Sequence, residues 1–358
     1  MKSSIIPIDK WGFPVRSVFI AAGPCSAESQ EQVMATARGL KDSGISFLRA
    51  GIWKPRTYPG TFEGAGIEGL KWLTEARDEF KMAIGVEVAN PEHVEICLDY
   101  KVDVMWIGAR TTPNPFAVQA IADALKGTDM PVLIKNPISP DIDLWLGAIE
   151  RLRNVGLKKI GAIHRGFSTS KKVLYRYAPN WKIPIELKRR LPEVPLLCDP
   201  SHICGKTELI YSVAQEALDL LFDGLIIEVH NNPSVALSDA RQQLTPDEFH
   251  TLLKRLTMRN EMSDSDEYQT RIKELRLEVD HVDDHLIKLL GKRMDIARQM
   301  GALKRRHNIS TLQPKRWEEI LESRVNAGKE DKLSEECVFQ IFQSIHEEAI
   351  RQQEEESS

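Results

Sequence analysis

Eight short apolar runs recur through the first 230 residues, and seven of them deliver a charged or coordinating side chain at or near the C-terminal end. Val18–Ala22 leads to Gly23-Pro24-Cys25, Phe47-Leu48 to Arg49, Val104–Ile107 to Gly108-Ala109-Arg110, and Val132–Ile134 to Lys135. Ile160–Ile163 leads to His164-Arg165, Leu196-Leu197 to Asp199-Pro200-Ser201-His202, and Leu225–Ile227 to Glu228; Ile84–Val88 is the exception. Runs this short without polar alternation read as strands buried on both faces, as in a parallel sheet. Helix-patterned stretches separate them, among them 31–43 (stopped by Gly44), 68–80 and 115–125. Eight strand–helix repeats predict a closed (β/α)8 TIM barrel. A doubly wound sheet is the alternative, but no glycine-rich dinucleotide fingerprint follows the first strand. In a barrel the C-terminal strand ends share one face, so groups spread over two hundred residues converge on one pocket. That pattern is an enzyme's.

A barrel takes about 250 residues, and the chain has 358, so a second, smaller unit is expected. The acidic stretch Glu261-Met262-Ser263-Asp264-Ser265-Asp266-Glu267 reads as a linker, dividing the chain into 1–260, 261–267 and 268–358. Beyond it strand patterning stops. Ile272, Leu275, Val279, Val282, Leu286, Leu289, Arg293, Ile296 and Met300 keep a three-and-four spacing over some thirty residues. A stripe that long cannot be buried by its own helix, and it suggests pairing with a second chain. Shorter helices are expected over 315–327 and 334–353, making the second domain all-α and a homodimer or higher assembly. A net charge of −4 argues against a nucleic-acid partner held by bulk charge. No apolar run reaches membrane-spanning length, and Met1–Pro7 lacks the core of a signal peptide. Five irregularly spaced cysteines do not form a disulfide framework, which fits a reducing cytoplasm.

Cys25, His202, Glu228 and Asp239 form a mixed sulfur, nitrogen and oxygen set. One thiolate, one imidazole and two carboxylates suit a borderline divalent ion, Mn, Fe, Co or Zn, rather than Mg or Ca. The first, seventh and eighth strands neighbour one another in a closed barrel, which favours this reading over four unrelated core residues. Cys198 and Cys204 are competing thiols and rank below Cys25. Arg49, Lys54, Arg56, Arg110, Lys135 and Arg165 fall at or just past strand ends. Six cations on one face need anions. Two phosphates and a carboxylate match them best, since arginine forks grip both groups and lysine acts as a point charge. Pairing with acidic residues at the barrel rim is the competing explanation for any one of them.

Gly23-Pro24-Cys25-Ser26-Ala27-Glu28, Lys54-Pro55-Arg56-Thr57, Ile107-Gly108-Ala109-Arg110, Asp199-Pro200-Ser201-His202 and the Glu228…Asp239 pair resemble the type I beta branch of 3-deoxy-D-arabino-heptulosonate 7-phosphate (DAHP) synthase. The resemblance runs from about Val18 to Ala240. It implies a metal-dependent condensation of phosphoenolpyruvate with erythrose 4-phosphate. It further implies that Arg110, Lys135 and Arg165 hold the phosphoenolpyruvate phosphate, and Arg49 and Lys54 its carboxylate and reacting end. Arg56 and Thr57 would take the phosphate of erythrose 4-phosphate. Lys54 would handle protons near the aldehyde or act only through its charge. Synthases of 3-deoxy-octulosonate 8-phosphate and of sialic acid share this logic; the Lys54–Thr57 run favours the four-carbon aldose.

On the long helix, Arg276, Arg293 and Lys304 stand seventeen and eleven residues apart, within one broad sector. A solvated charged face is the alternative reading. Together with Leu275, Asp280, Leu286, Leu289-Leu290, Lys292, Arg316 and Gln353, they resemble the all-helical class of chorismate mutase. The resemblance implies that Arg276 of the partner subunit, Arg293 and Arg316 contact the carboxylates and hydroxyl region of chorismate. Lys304 and Gln353 would address its ether oxygen. Trp317, Ala349 and Gln313 depart from the family pattern. Two functions follow: a bifunctional enzyme, or a synthase whose helical domain mainly senses chorismate or prephenate and dimerises. Since the first strand begins near residue 18, the helical site is also the expected place for a product-like inhibitor of the barrel.

Overall fold

The computed structural model describes residues 4–15, 17–54, 60–170, 173–260 and 263–355. The chain folds as two compact units, Met1–Glu261 and Met262–Ser358.

The first unit is a closed eight-stranded parallel barrel in simple sequential order. Its strands are β1 (Phe19–Gly23), β2 (Phe47–Arg49), β3 (Ile84–Val88), β4 (Val104–Ile107), β5 (Val132–Lys135), β6 (Ile160–His164), β7 (Leu196–Cys198) and β8 (Gly224–Glu228). Closure comes from β1 pairing with β8, where Gly23 stands opposite Glu228. Nearly every strand residue is buried, which is why the sequence shows unbroken apolar runs. Inside the barrel Phe19, Phe47, Trp106, Leu133 and Ile163 form one packed cluster, joined by Ile8 and Trp11 from the segment before β1. A larger apolar layer fills the space between strands and helices.

The helices of this unit are α1 (Gln30–Leu40), α2 (Ile67–Phe80), α3 (Pro91–Asp99), α4 (Pro115–Leu125), α5 (Ile142–Asn154), α6 (Lys182–Arg190), α7 (Pro200–Cys204), α8 (Ile210–Asp219) and α9 (Pro246–Arg255). Their starts are chemically encoded. Ser29, Asn90, Asn114, Asp141 and Asp199 each accept a backbone N–H of the first turn, and Thr245 forms a capping box with Glu248. The apolar pattern extends α1 to Ser43, but the helix stops at Leu40 and Ser43 closes a turn on the Leu40 carbonyl.

The second unit is all-helical: α10 (Asp266–Arg306), α11 (Pro314–Glu330) and α12 (Glu335–Glu355). At 41 residues α10 is about 60 Å long. Its C-terminal half packs on α12 through Met294, Ala297, Ile345 and Ala349. Its N-terminal half has no such cover: Leu277, Val279, Val282, Leu286, Ile287 and Leu289 are all more than half exposed. Among the described residues no helix is long and apolar enough to cross a membrane.

Candidate active sites

Cys25, Glu228 and Asp239 meet at the C-terminal mouth of the barrel, their ligand atoms all within 4.8 Å of one another. Cys25 Sγ lies 3.6 Å from Asp239 Oδ2, and His202 Nε2 lies 3.8 Å from Glu228 Oε1. The other imidazole nitrogen, Nδ1, is 2.8 Å from Asp199 Oδ2, while Asp199 also caps the helix α7 that carries His202. A carboxylate behind a histidine, leaving the far nitrogen turned to the cluster, is the usual support of a metal ligand. Burial and the neighbouring Glu228 push the Cys25 thiol up to about 12. Burial opposes ionisation of Glu228 too, but His202, Arg49 and Lys54 outweigh it and hold that carboxyl well below its ordinary range. A buried thiol beside two carboxylates is the environment a divalent cation would invert, so Cys25, Glu228 and Asp239 fit such an ion; His202 stands at the edge of this group, its Nε2 reaching Glu228. Cys198 and Cys204 are buried but stand outside this cluster.

The predicted cations surround this point in two different states. Arg49 donates to Glu228 Oε1 at 2.7 Å, and Lys135 pairs with Asp199 Oδ2 at 3.1 Å; both are buried over the Trp106 ring. For these two, pairing with acidic groups is what the structure shows, and the partners belong to or support the ligand cluster. Lys54 Nζ donates to the Cys25 carbonyl at 2.5 Å and lies 3.2 Å from its sulfur. Arg110 and Arg165 line a cavity of about 180 Å³ together with Lys54, Lys135, His202 and Asp239. Arg56 and Thr57 lie outside the described residues.

The same cavity holds three polar residues that sequence reasoning passed over: Glu87, Arg176 and Tyr177. Glu87 sits inside the one run read as lacking a polar group, and Trp106 donates to its Oε2 at 2.8 Å. Its room is made by Gly108, where a Cβ would come within 2.2 Å of Glu87 Oε1. Tyr177 packs under the Arg165 guanidinium, 3.5 Å from ring centroid to Cζ. Period-two alternation from a polar Glu87 was the available signal.

Behind Arg165, His164 points away from the mouth into Phe167, Trp181 and Phe222. Burial, reinforced by Arg165, draws its pKa from 6.5 down to about 3. The unfolded chain therefore binds a proton below pH 6.5 that the folded chain refuses until about pH 3. Barrel stability from this residue is full above pH 6.5 and is lost progressively as pH falls. His164→Phe is expected to flatten the acid limb of a denaturation profile by up to about 1.4 kcal/mol per pH unit. Identical slopes for both proteins would contradict a neutral buried imidazole.

In the helical unit, Arg293, Lys304, Arg316 and Gln353 come together around a cavity of about 210 Å³, lined also by Thr311, Gln313, Trp317, His346 and Ala349. Among the described residues no carboxylate lines it. Lys304 Nζ is held by the Thr311 carbonyl at 2.6 Å, and Arg316 by Glu319 at 2.9 Å. Gln353 Nε2 donates to the Ala349 carbonyl, leaving Oε1 buried without a partner; the second Nε2 proton is the one left for an ether oxygen. Trp317 stacks on His346 at 4.0 Å, an aromatic pair the sequence did not reveal. Arg276 is not brought to this cavity; it lies about 25 Å back along α10, beside Lys273 and Asp280.

A family model described as the DAHP synthetase I family matches residues 15–264, which span the whole barrel and most of the chain. The chain belongs to that family. A second model, chorismate mutase type II, matches residues 275–354, the stretch that builds the helical cavity. The chain is thus a bifunctional shikimate-pathway enzyme with a DAHP synthase unit and a chorismate mutase unit. The phospho-2-dehydro-3-deoxyheptonate aldolase of Thermotoga maritima is 35% identical over 66% of this chain and 68% of its own length. A 2-dehydro-3-deoxyphosphooctonate aldolase of Acidithiobacillus ferrooxidans is 28% identical over 62% of this chain and 82% of its own. The crystal structure of the Thermotoga maritima DAHP synthase superposes with a TM-score of 0.63 at 32% identity, covering 71% of this chain and 72% of that one.

Proposed function

We propose that the barrel domain, residues 1–260, condenses phosphoenolpyruvate with erythrose 4-phosphate on a divalent ion held by Cys25, His202, Glu228 and Asp239, with Mn, Fe, Co or Zn as candidates. The observation that carries this is the convergence of a thiol and two carboxylates, with an imidazole beside them, at a cavity lined by five cations, Lys54, Arg110, Lys135, Arg165 and Arg176. The ion would supply Lewis-acid polarisation of the aldehyde oxygen. Arg110, Lys135 and Arg165 take the phosphate of phosphoenolpyruvate, and Arg49 with Lys54 orient its carboxylate and reacting end. Arg49 and Lys135 are pre-paired with Glu228 and Asp199, so their guanidinium and ammonium groups are held rather than free to swing. Such preorganisation costs no rearrangement at the moment of reaction. Lys54, already against the Cys25 sulfur, is placed to stabilise or exchange a proton at the aldehyde oxygen. Arg56 and Thr57 hold the second phosphate. Comparing turnover of erythrose 4-phosphate with that of arabinose 5-phosphate tests the assignment: preference for the five-carbon sugar would move the chain to octulosonate chemistry.

In the domain 268–358, joined by the linker 261–267, Arg293 and Arg316 hold chorismate by its carboxylates. Lys304, with Gln353, stabilises charge on the breaking ether bond. Rearrangement to prephenate needs no nucleophile or base, so capture of the compact conformer and this charge suffice. Arg276 reaches the site only from a second copy, and the bare apolar stripe of α10 supports a homodimer through this domain. Five free cysteines support a reducing, cytoplasmic setting, and the net charge of −4 speaks against a nucleic-acid partner held by bulk charge.

Gln313, Trp317 and Ala349, which depart from the mutase pattern, all line this cavity, and that favours a regulatory use of it. Chorismate or prephenate bound there inhibits the barrel, and linkage then requires synthase substrates to weaken that binding. Prephenate titrated into the synthase assay should inhibit the intact chain and spare a chain ending at Arg259. Equal inhibition of both, or of neither, would end this proposal.

A further inference from the structure

Arg176 belongs to the stretch between β6 and α6 and takes no part in the roles assigned above. Its Nη1 donates to Asp239 Oδ1 at 2.9 Å and to Gln242 Oε1 at 2.8 Å. Gln242 in turn donates through Nε2 to Glu228 Oε2 at 2.7 Å. One guanidinium thus fixes both carboxylates of the ligand cluster, one directly and one through a single amide. In each case only one carboxylate oxygen is used. The other Asp239 oxygen, Oδ2, lies toward Cys25; the other Glu228 oxygen, Oε1, lies 3.8 Å from His202 Nε2 and accepts from Arg49 at 2.7 Å.

Three further observations indicate that the arrangement is built rather than incidental. Asp239 has φ of 48°, a left-handed conformation that few non-glycine residues adopt, so no regular element aims its side chain. Gly205, the residue ending α7, lies against the Arg176 stem; a Cβ there would stand 2.6 Å from Arg176 Cβ. The backbone N–H groups of Arg176 and Tyr177 donate to the carbonyls of Cys204 and Ile203, tying this stretch to the short helix that carries His202. The position of Arg176 is therefore set by the same helix that sets the imidazole.

We propose that Arg176 is a positioning residue for the metal centre, holding Asp239 directly and Glu228 through Gln242 in the orientation that accepts a divalent ion. The inference rests on the metal reading of Cys25, His202, Glu228 and Asp239. Two effects oppose each other here. A guanidinium near a dication repels it, whereas a carboxylate held by a hydrogen bond pays less to be ordered. The Arg176 side chain is 41% exposed, so solvent screens its charge while its two short hydrogen bonds remain. Orientation wins.

The test is Mn2+ affinity by calorimetry on the full-length chain freed of metal, alongside the thermal midpoint of each metal-free variant. R176A should bind Mn2+ about 10- to 100-fold more weakly, the usual effect of losing a supporting hydrogen bond to a ligand. R176K, which keeps the charge at a shorter reach and without the planar guanidinium whose Nη1 makes both bonds, should also bind more weakly than the parent. Q242L, which breaks only the relay to Glu228, gives a smaller loss and stands in if R176A does not fold. Parental or tighter binding by R176A and R176K would overturn the proposal and leave the guanidinium as a mere counter-charge. D239A separates the two levels. If the parent takes up no stoichiometric Mn2+, or D239A binds like the parent, the metal reading itself fails. If D239A loses the ion while R176A retains it, only the role of Arg176 fails.

Discussion

Cys25→Ala is expected to lower DAHP formation more than about a thousandfold and to release the divalent ion, while chorismate turnover stays near the parental rate. The thiolate is the one soft ligand of the set, and it stands at the point where Lys54, Asp239 and Glu228 converge. Loss of a Lewis acid removes several kcal/mol of charge stabilisation, and each 1.4 kcal/mol or so is worth a factor of ten. Removing the buried thiol also leaves two carboxylates facing each other with less to bridge them. Metal content by elemental analysis and both rates on the same preparation check the prediction. Undiminished condensation with metal still bound would transfer the ligand role to Cys198 or Cys204, both buried and close in sequence to His202.

Arg293→Ala and Lys304→Ala are expected to reduce mutase turnover by about 100- to 1,000-fold or more each, with synthase turnover changed far less. Lys304 is fixed by the Thr311 carbonyl, so its charge is already aimed when substrate arrives. Arg293 is half-buried beside the Ile345 carbonyl, and its fork suits a carboxylate. The two cations line a cavity with no acidic group among the described residues, so a dianionic ligand meets no competing charge there. Parental rearrangement by either variant would remove the mutase role from this cavity.

The barrel was legible because its strands are buried on both faces and so appear as apolar runs, each punctuated by the residue that reaches the mouth. Cys25, His202, Glu228 and Asp239 were legible by chemical type and by their place after the first, seventh and eighth strands. Glu87 was passed over because it lies inside an apolar run rather than at its end, although alternation with Val86 and Val88 already sets it on the other face; its register opposite Trp106 places it with the barrel interior. Arg176 and Tyr177 escaped for a different reason. They lie in a long connection with no period, and their positions follow from backbone bonds to Ile203 and Cys204 far along the chain. Arg49 and Lys135 read in the sequence as awaiting substrate anions, yet they already neutralise Glu228 and Asp199. A buried ligand set carries its own negative charge, and counting cations in a sequence leaves that demand out. In the helical unit the cations were visible by spacing, whereas the stacking of Trp317 on His346 depends on how α11 meets α12.

The most direct measurement is to assay condensation and chorismate rearrangement on one purified preparation before chelation, after it, and after Mn2+ is restored. A metal-dependent barrel and a metal-free helical site on one chain require that chelation abolish condensation, that Mn2+ bring it back, and that rearrangement remain constant throughout. Condensation that survives complete removal of metal, or rearrangement that rises and falls with it, would contradict this division of chemistry.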